Sequence, residues 1–383
     1  MSRPAPIPRQ DEPPAPPALR DAAPVPLPLH LLQAALAREA AGPPDIDTLD
    51  TMLRGIARWR ATPWRRGDET APVLWSEGAT RLVDHGHGTG RPLLVIPSLI
   101  NRAYILDITP GRSFVGALAR AGFRPLLLDW GVPGDAEKPL SLADYADTRL
   151  RPALAIARVL AGGPVPVIGY CMGGALATAA AARCRADIAA LVTLGTPWDC
   201  AHASPGARIM LDSTRPQAAT VRALFRAAAQ VFGLVPSDVM QALFAMLDPG
   251  LARRKFARFA AYPDGSEAAA LFVAVEDWLN DPVPVAPRVA EEVLADWHLD
   301  NRLAAGGWSL LGGRVDPAAI TCPVLSFCAT RDLIAPPANA EALPRTIAQA
   351  RILRPETGHV GMIVGTKVSQ STLDPLKKFL SEI

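Results

Sequence analysis

Residues 165–174 of this chain read VPVIGYCMGG, and this stretch decides the fold. An apolar run ends in Gly169, a cysteine follows two residues later, and Gly173 precedes an alanine-rich stretch. A nucleophile flanked by glycines in this way, between a strand and a helix, is typical of a nucleophile elbow, a sharp turn that exposes its central side chain. Side chains at Gly169 or Gly173 would collide with the strand or the helix. We therefore predict that Cys171 is a nucleophile, at a helix N-terminus that favours its thiolate form.

Short apolar runs alternate with helical stretches on both sides of this segment. The predicted strands are Leu93–Ile96, Pro125–Leu128, Val165–Ile168, Leu191–Leu194, Pro323–Phe327 and Ala350–Leu353. The helices predicted between and after them are Ser113–Ala121, Leu142–Leu160, Gly174–Arg183, Ala338–Leu343 and Thr372–Leu380. Strands that are apolar on both faces and are separated by helices indicate a parallel sheet covered on both sides. With the elbow, this pattern predicts an α/β-hydrolase fold, a mostly parallel central sheet with helices on both faces and an inserted helical cap.

The chain divides into four parts by composition. Residues 1–45 are rich in proline and alanine, which predicts a disordered tail with one candidate amphipathic helix at Leu29–Ala41. Residues 46–200 are predicted to form the first part of the core and residues 316–383 the second part. The first part is expected to begin with a helix and a hairpin, at Asp47–Arg60, Val73–Trp75 and Thr80–Val83.

The predicted cap, residues 201–315, is expected to contain helices and no strands. Its helical segments are Ser237–Met246, Gly250–Phe259, Ala268–Leu279 and Val289–Leu303. Trp278, Trp297 and Trp308 lie in this part of the chain. Tryptophans at helical spacing are more typical of a packed core than of an acyl tunnel. We therefore expect these tryptophans to pack in the core, and the alternative is that they line an acyl tunnel.

Composition excludes several classes of function. The chain has 383 residues, 49% of them hydrophobic, and a formal net charge of +2, which is too small for a broad nucleic-acid-binding surface. Its five cysteines are an odd number without a C-x-x-C cluster, which argues against a disulfide framework and a zinc site. Neither a signal peptide nor a window of about 18 apolar residues is visible. We therefore expect a cytoplasmic globular protein without a metal, a nucleic-acid partner or a transmembrane segment.

An elbow nucleophile needs a base and an acid that orients the base. In α/β-hydrolases the three follow in the order nucleophile, acid, histidine. Asp332 lies just after the predicted strand Pro323–Phe327, and His359 follows the strand Ala350–Leu353. Because loops at the carboxyl ends of adjacent parallel strands meet at one edge of the sheet, we expect Cys171, Asp332 and His359 to form a catalytic triad.

Acyl transfer through a tetrahedral intermediate also needs preorganised N–H donors for the oxyanion. We assign one donor to the backbone of Met172, immediately after the nucleophile. The second donor is expected from the loop that follows Leu93–Ile96, residues 97–101 (PSLIN), and within this loop we favour the backbone of Leu99. These two amides are the predicted oxyanion hole.

The chain resembles the polyhydroxyalkanoate synthases, α/β-hydrolase-fold polymerases that make polyester from hydroxyacyl-CoA. The matching stretches, by residue number, are 100–107 (INRAYILD), 129–131 (DWG), 169–174 (GYCMGG), 196–199 (TPWD), 300–303 (DNRL), 322–325 (CPVL) and 358–361 (GHVG). They extend from about Pro92 to the C-terminus, and a cysteine elbow with these flanks is more discriminating than the elbow alone. By length the chain is similar to the short poly-3-hydroxybutyrate synthases that work with a second subunit.

The resemblance implies an acyltransferase that polymerises (R)-3-hydroxyacyl-CoA and releases CoA through a covalent thioester on Cys171. It implies His359 as the base, and Asp332 either as the partner of His359 or as the activator of the incoming hydroxyl. The CoA thioester is then a substrate, and no cofactor is expected. The expected partners are the growing polyester and a second synthase subunit or a second copy of the chain, in the cytoplasm or at the granule surface.

Some residues depart from the family pattern. Leu333 follows Asp332 where the family usually has a histidine, Ser98 and Leu99 stand where proline and tryptophan are usual, and Ala103 replaces an aromatic residue. Two alternatives therefore stay open, a related thioesterase or depolymerase-type hydrolase and a non-catalytic, granule-associated homologue. The intact triad argues against the non-catalytic alternative.

Overall fold

The computed structural model describes residues 46–67, 70–248 and 250–383, so the predicted tail and its candidate helix at Leu29–Ala41 lie outside the described residues. An eight-stranded sheet forms the centre. Its strands are β1 (Val73–Glu77), β2 (Thr80–Asp84), β3 (Arg91–Ile96), β4 (Phe123–Asp129), β5 (Val165–Tyr170), β6 (Ile188–Leu194), β7 (Val324–Phe327) and β8 (Ala350–Leu353). Their spatial order is β1-β2-β4-β3-β5-β6-β7-β8.

The strand directions confirm the predicted α/β fold. The hairpin of β1 and β2 is antiparallel, and β2 also pairs antiparallel with β4. All later pairings, from β4 with β3 through to β7 with β8, are parallel. Every residue of β5 is buried, as expected for a central strand that is covered on both faces. Parallel strands direct their carboxyl ends, and the loops after them, to one edge of the sheet.

Helices cover the sheet and fill the region between β6 and β7. They are α1 (Ile46–Ala61), α2 (Phe114–Arg120), α3 (Leu142–Tyr145), α4 (Arg151–Ala161), α5 (Met172–Arg183), α6 (Pro205–Thr214), α7 (Ala218–Phe232), α8 (Ser237–Leu247), α9 (Leu251–Ala260), α10 (Glu267–Leu279), α11 (Pro287–Glu291), α12 (Pro337–Arg345), α13 (Gly361–Val364) and α14 (Asp374–Ser381). π-Helical turns join α3 to α4, extend α11 and precede α14, at Ala146–Leu150, Glu292–Leu299 and Ser369–Leu373. Within the described ranges, no helix has both the length and the apolar character that crossing a membrane requires.

Helix α5 shows why the sequence after the elbow is rich in alanine. Every residue from Met172 to Ala182 is buried, because this helix is packed among the sheet and its neighbours on all sides. Small side chains allow such close approach, whereas larger ones would overpack the interior. The alanines therefore fix the helix that carries Cys171 at its N-terminus.

We call residues 201–315, which lie between β6 and β7 in the chain, the inserted segment. The expectation that it has no strands is wrong, because Ser309–Leu310 pairs with Gly313–Arg314 and Val235 forms a bridge with Val285. The helix predicted to reach Leu303 also ends earlier, at Leu299. Asn301 explains this end, since its φ of 51° is left-handed and its side chain accepts a hydrogen bond from the Cys200 amide at 2.8 Å.

Candidate active site

Cys171 occupies a strained turn between β5 and α5. Its φ of 56° and ψ of −128° are rare for a residue with a side chain, and such strain costs on the order of 1–3 kcal/mol. The turn is held by the Cys171 amide, which donates to the Leu194 carbonyl at 2.8 Å, and by the Gly174 amide, which donates to the Cys171 carbonyl at 2.9 Å. The surrounding structure therefore compensates for the strain and presents the thiol at the sheet edge.

The glycines of the elbow have the steric role that the sequence predicts. A Cβ atom on Gly173 would overlap the carbonyl oxygens of Ile96 and Pro97, at the end of β3. One on Gly169 would overlap the backbone of Gly174. The clashing atoms belong to the backbone of the core, so neither overlap can be relieved by a side-chain rotation.

Asp332 and His359 lie in the loops after β7 and β8 and contact each other. Nδ1 of His359 lies 2.6 Å from Oδ2 of Asp332. The other carboxylate oxygen, Oδ1, accepts hydrogen bonds from the amides of Ile334 at 2.8 Å and Ala335 at 2.9 Å. Both oxygens of this buried carboxylate are therefore engaged. Because an ionised carboxylate only accepts, Nδ1 of His359 is the donor and Nε2 is left for the nucleophile.

The electrostatic surroundings favour a proton on His359. Burial alone lowers the pKa of His359, but the negative charges of Asp332 and of a Cys171 thiolate outweigh it and hold the pKa well above its ordinary value. Within the described part of the chain, Nε2 is buried without a partner in hydrogen-bond geometry. Catalytic hydrogen bonds are often long in a free enzyme and shorten when substrate binds. The arrangement is suited to a thiolate–imidazolium pair.

The predicted oxyanion donors lie near the nucleophile in the chain or the fold. Met172 begins α5, so its amide belongs to the first turn, where N–H groups have no partner inside the helix. Leu99 is 7% exposed and packs in the core, whereas its neighbour Ser98 lines a cavity together with Cys171. The Ser98 hydroxyl accepts from the Ile100 amide at 3.2 Å, which shapes this loop. The assignment of Leu99 stays a prediction, and Ser98, another residue of the predicted donor loop, is the neighbouring candidate.

Two cavities meet at Cys171. One has a volume of about 220 Å³ and lies among α6, α7, α8 and the turn Glu292–Leu299. The other has a volume of about 410 Å³ and lies against the loops that carry Ser98, Asp332 and His359. Both are lined by Cys171, Phe244, Leu247 and Ile334. The thiol is therefore accessible from two sides, and residues of the inserted segment stand between them.

The walls of the two cavities differ in charge. The smaller cavity, which we call the apolar cavity, is lined mainly by aliphatic and aromatic side chains. The larger one, the cationic cavity, is lined also by Arg102, Lys255 and Arg331, together with one carboxylate, Asp248. Arg102 pairs with Asp281 at 3.1 Å and Lys255 with Glu276 at 2.7 Å. Arg331 donates to the backbone carbonyl of Glu356, so its charge is not neutralised by that partner.

The tryptophans of the inserted segment divide between the core and the cavities. Trp278 lines the cationic cavity, and its Nε1 donates to the Arg102 carbonyl at 2.8 Å. Trp297 lines the apolar cavity, although it is only 1% exposed. Trp308 is buried and packs edge-on against Trp297, with ring centres 5.3 Å apart. Trp278 and Trp297 therefore both pack in the core and line a cavity.

The fold and the elbow define a class of protein. The family model described as alpha/beta hydrolase fold matches residues 91–366, and the chain belongs to this family. This range contains Cys171, Asp332 and His359.

The chain is also similar to proteins named as polyester polymerase subunits. The chain is 28% identical over 305 residues to the poly(3-hydroxyalkanoate) polymerase subunit PhaC of Haloferax mediterranei, over 77% of this chain and 60% of the relative. It is 28% identical to the subunit of that name from Allochromatium vinosum, over 76% of this chain and 81% of the relative. It is 27% identical to the subunit of that name from Synechocystis, over 76% of this chain and 78% of the relative. The chain thus spans about three fifths of the length of the Haloferax relative, and its predicted resemblance to polyester synthases is confirmed.

Proposed function

We propose that this chain is an acyltransferase that polymerises (R)-3-hydroxyacyl-CoA into polyhydroxyalkanoate and releases CoA. One observation carries the proposal: a cysteine on a strained elbow lines the same cavity as a histidine whose Nδ1 lies 2.6 Å from a carboxylate. The names of the relatives supply the substrate class. The CoA thioester is a substrate in this scheme, and the proposed reaction uses only side chains and backbone amides.

The acylation step begins at Cys171. His359 Nε2 takes the thiol proton, and the sulfur attacks the thioester carbonyl of the substrate. A bond forms between Sγ and the carbonyl carbon, the bond from that carbon to the CoA sulfur breaks, and His359 returns the proton to the departing thiolate. The amide of Met172, with that of Leu99 or a neighbour, would stabilise the oxyanion.

The thiol suits polymerisation because it preserves the energy of the substrate bond. Exchange of a CoA thioester for an enzyme thioester is nearly isoenergetic, so the acyl group stays activated for attack by a hydroxyl. A serine would form a more stable oxyester. The inserted segment above the elbow would exclude water and favour attack by the chain end over hydrolysis.

The proposal is tested with purified protein and 3-hydroxybutyryl-CoA, with free CoA and insoluble polymer measured separately. We expect both products. CoA without polymer would instead identify a thioesterase, and the absence of both products would reject the proposed activity for the isolated chain. The thioesterase is the second candidate because Leu333, where the family usually has a histidine, lines the cationic cavity beside His359.

A second subunit is part of the proposal, since the relatives are named as polymerase subunits. The isolated chain would then be slow, with a lag, and an added partner subunit would shorten the lag. Full-rate polymerisation by the chain alone, without a lag, would remove the requirement for a partner. The cytoplasm and the surface of the polyester granule are the proposed locations.

A further inference from the structure

His298 lies in the apolar cavity and takes no part in the proposed acylation step. It belongs to the π-helical turn Glu292–Leu299 of the inserted segment. Its ring lines the cavity together with Cys171 and Trp297. π-Helical turns inside helices are found frequently at functional positions. A polar ring in this place needs a physical reason, since the neighbouring walls are apolar.

The hydrogen bond on one side of the ring fixes its tautomer. Nδ1 of His298 lies 2.6 Å from the carbonyl oxygen of Val293. A carbonyl oxygen only accepts, so Nδ1 carries the hydrogen. Burial lowers the pKa of His298, and the hydrogen bond with Val293 opposes this shift only in part. The ring is therefore neutral near pH 7, and Nε2 presents a lone pair.

That lone pair has no donor among the residues that the structure describes. Other residues that line the cavity include Met240, Leu243 and Phe244, which offer no strong donor. Ser204, Thr214 and Asn339 also line it, and none of them forms a hydrogen bond with His298. When a bound acyl chain displaces water from the cavity, an acceptor left without a donor is costly, so a bound molecule that brings an O–H group to Nε2 gains an interaction. An acyl chain without a hydroxyl leaves the acceptor unpaired.

We propose that His298 accepts a hydrogen bond from the hydroxyl group of the hydroxyacyl chain and thereby selects hydroxyacyl over unsubstituted acyl thioesters. This inference rests on the proposed function, because it requires the acyl group to enter the apolar cavity on its way to Cys171. Sites built to hydrogen-bond a substrate hydroxyl reject analogues that lack it, since the site's own polar group is then left unpaired. His298 is in this scheme a specificity-determining residue.

The test measures the first release of CoA by rapid quenching, for 3-hydroxybutyryl-CoA and for butyryl-CoA. Wild type is compared with His298→Phe, which removes the acceptor, and with His298→Gln, which retains one. The matched control is His202→Phe, at a histidine whose side chain is 54% exposed. We expect wild type to prefer the hydroxyacyl thioester, and the preference to fall about tenfold in His298→Phe. It should be partly retained in His298→Gln and unchanged in His202→Phe.

An equal preference in wild type and in folded His298→Phe would overturn the inference. If that variant does not fold, wild type is tested with 3-fluorobutyryl-CoA, which is similar in size and lacks the O–H donor. Reaction of this analogue at the rate of 3-hydroxybutyryl-CoA would overturn it equally. Release of CoA without any preference removes only the role of His298, whereas no release from either thioester rejects the proposed activity for the isolated chain and this inference with it.

Discussion

In the α/β core, Cys171, Asp332 and His359 each follow a strand of the central sheet, whereas in the inserted segment the residues that line the cavities come from several helices. In the core, backbone amides hold one carboxylate oxygen of Asp332, and the His359 side chain contacts the other. The inserted segment contributes cavity-lining side chains such as Phe244 and His298 from its helices. We therefore expect the core to carry the chemistry and the inserted segment to set the selectivity. Changes in the core should stop the reaction, and changes in the inserted segment should redirect it.

The largest effect is expected for Cys171→Ala. Without the thiol the covalent step is lost, and the release of CoA should fall by several orders of magnitude. Cys171→Ser should also be severely impaired, because a hydroxyl is a far weaker nucleophile at neutral pH than a partly ionised thiol. The measurement is CoA release by protein whose thermal unfolding matches wild type. Activity near that of wild type in the alanine variant would remove the mechanism.

Asp332→Asn should slow acylation and polymer elongation together, by about 10³–10⁴-fold, because the wrong tautomer of His359 is favoured. Pre-steady-state CoA release measures acylation, and polymer mass measures elongation. We predict the orienting role rather than activation of the incoming hydroxyl, because both carboxylate oxygens already accept hydrogen bonds, from His359 and from backbone amides. A normal burst of CoA followed by stalled elongation would reverse this assignment. Asp135→Asn, at an exposed carboxylate, is the control.

Phe244→Ala tests the inserted segment. Phe244 lines both cavities, so its truncation should enlarge the passage between them and change the preference between short and long acyl chains by about tenfold. Acylation with the best substrate should change less than the preference does. Phe232→Ala makes the same truncation at a residue that is 64% exposed and should leave the preference unaltered. A loss of activity as large as that of Asp332→Asn would contradict the expectation that the inserted segment sets selectivity and the core carries the chemistry.

The smallest effect concerns stability. Burial raises the pKa of Glu292 to about 7 from 4.5, and Asp296 and Asp144 add to the rise, while the Leu142 amide and Arg288 oppose it. Between pH 4.5 and 7 the folded state thus holds a proton that the unfolded state has lost, so this group makes stability fall as the pH rises. Glu292→Gln should raise Tm relative to wild type above pH 7, on the order of 2 °C, and not at pH 4.5. A difference in Tm that does not vary with pH would contradict this.

The core could be predicted from the sequence because its signals are local. The apolar run before Gly169 and the alanine-rich run after Gly173 define strand, turn and helix within 20 residues of chain. Chain order then places Asp332 and His359 after the next strands at the same sheet edge. The roles assigned to these residues remain predictions, and so does the oxyanion donor at Leu99.

The inserted segment could not be predicted to the same depth, because its contacts join residues far apart in sequence. The end of the helix at Leu299 depends on Asn301 and its bond to Cys200, 101 positions away. The hairpin at Ser309–Arg314 is too short for a period-2 pattern to be visible. His298 lies in a π-helical turn, so a helical projection of the sequence gives it the wrong direction. Its place in the cavity is visible only in the structure.

The central claim is that Cys171 carries the acyl group as a thioester. Wild-type protein is mixed with 3-hydroxybutyryl-CoA, quenched in acid within the first turnover and digested, and the peptide that contains residue 171 is analysed by mass spectrometry. The account predicts an added hydroxybutyryl mass on Cys171 that hydroxylamine removes, and no added mass on that peptide in Cys171→Ala. CoA release at the normal rate without acylation of Cys171, or with the acyl group on another residue, would contradict the account.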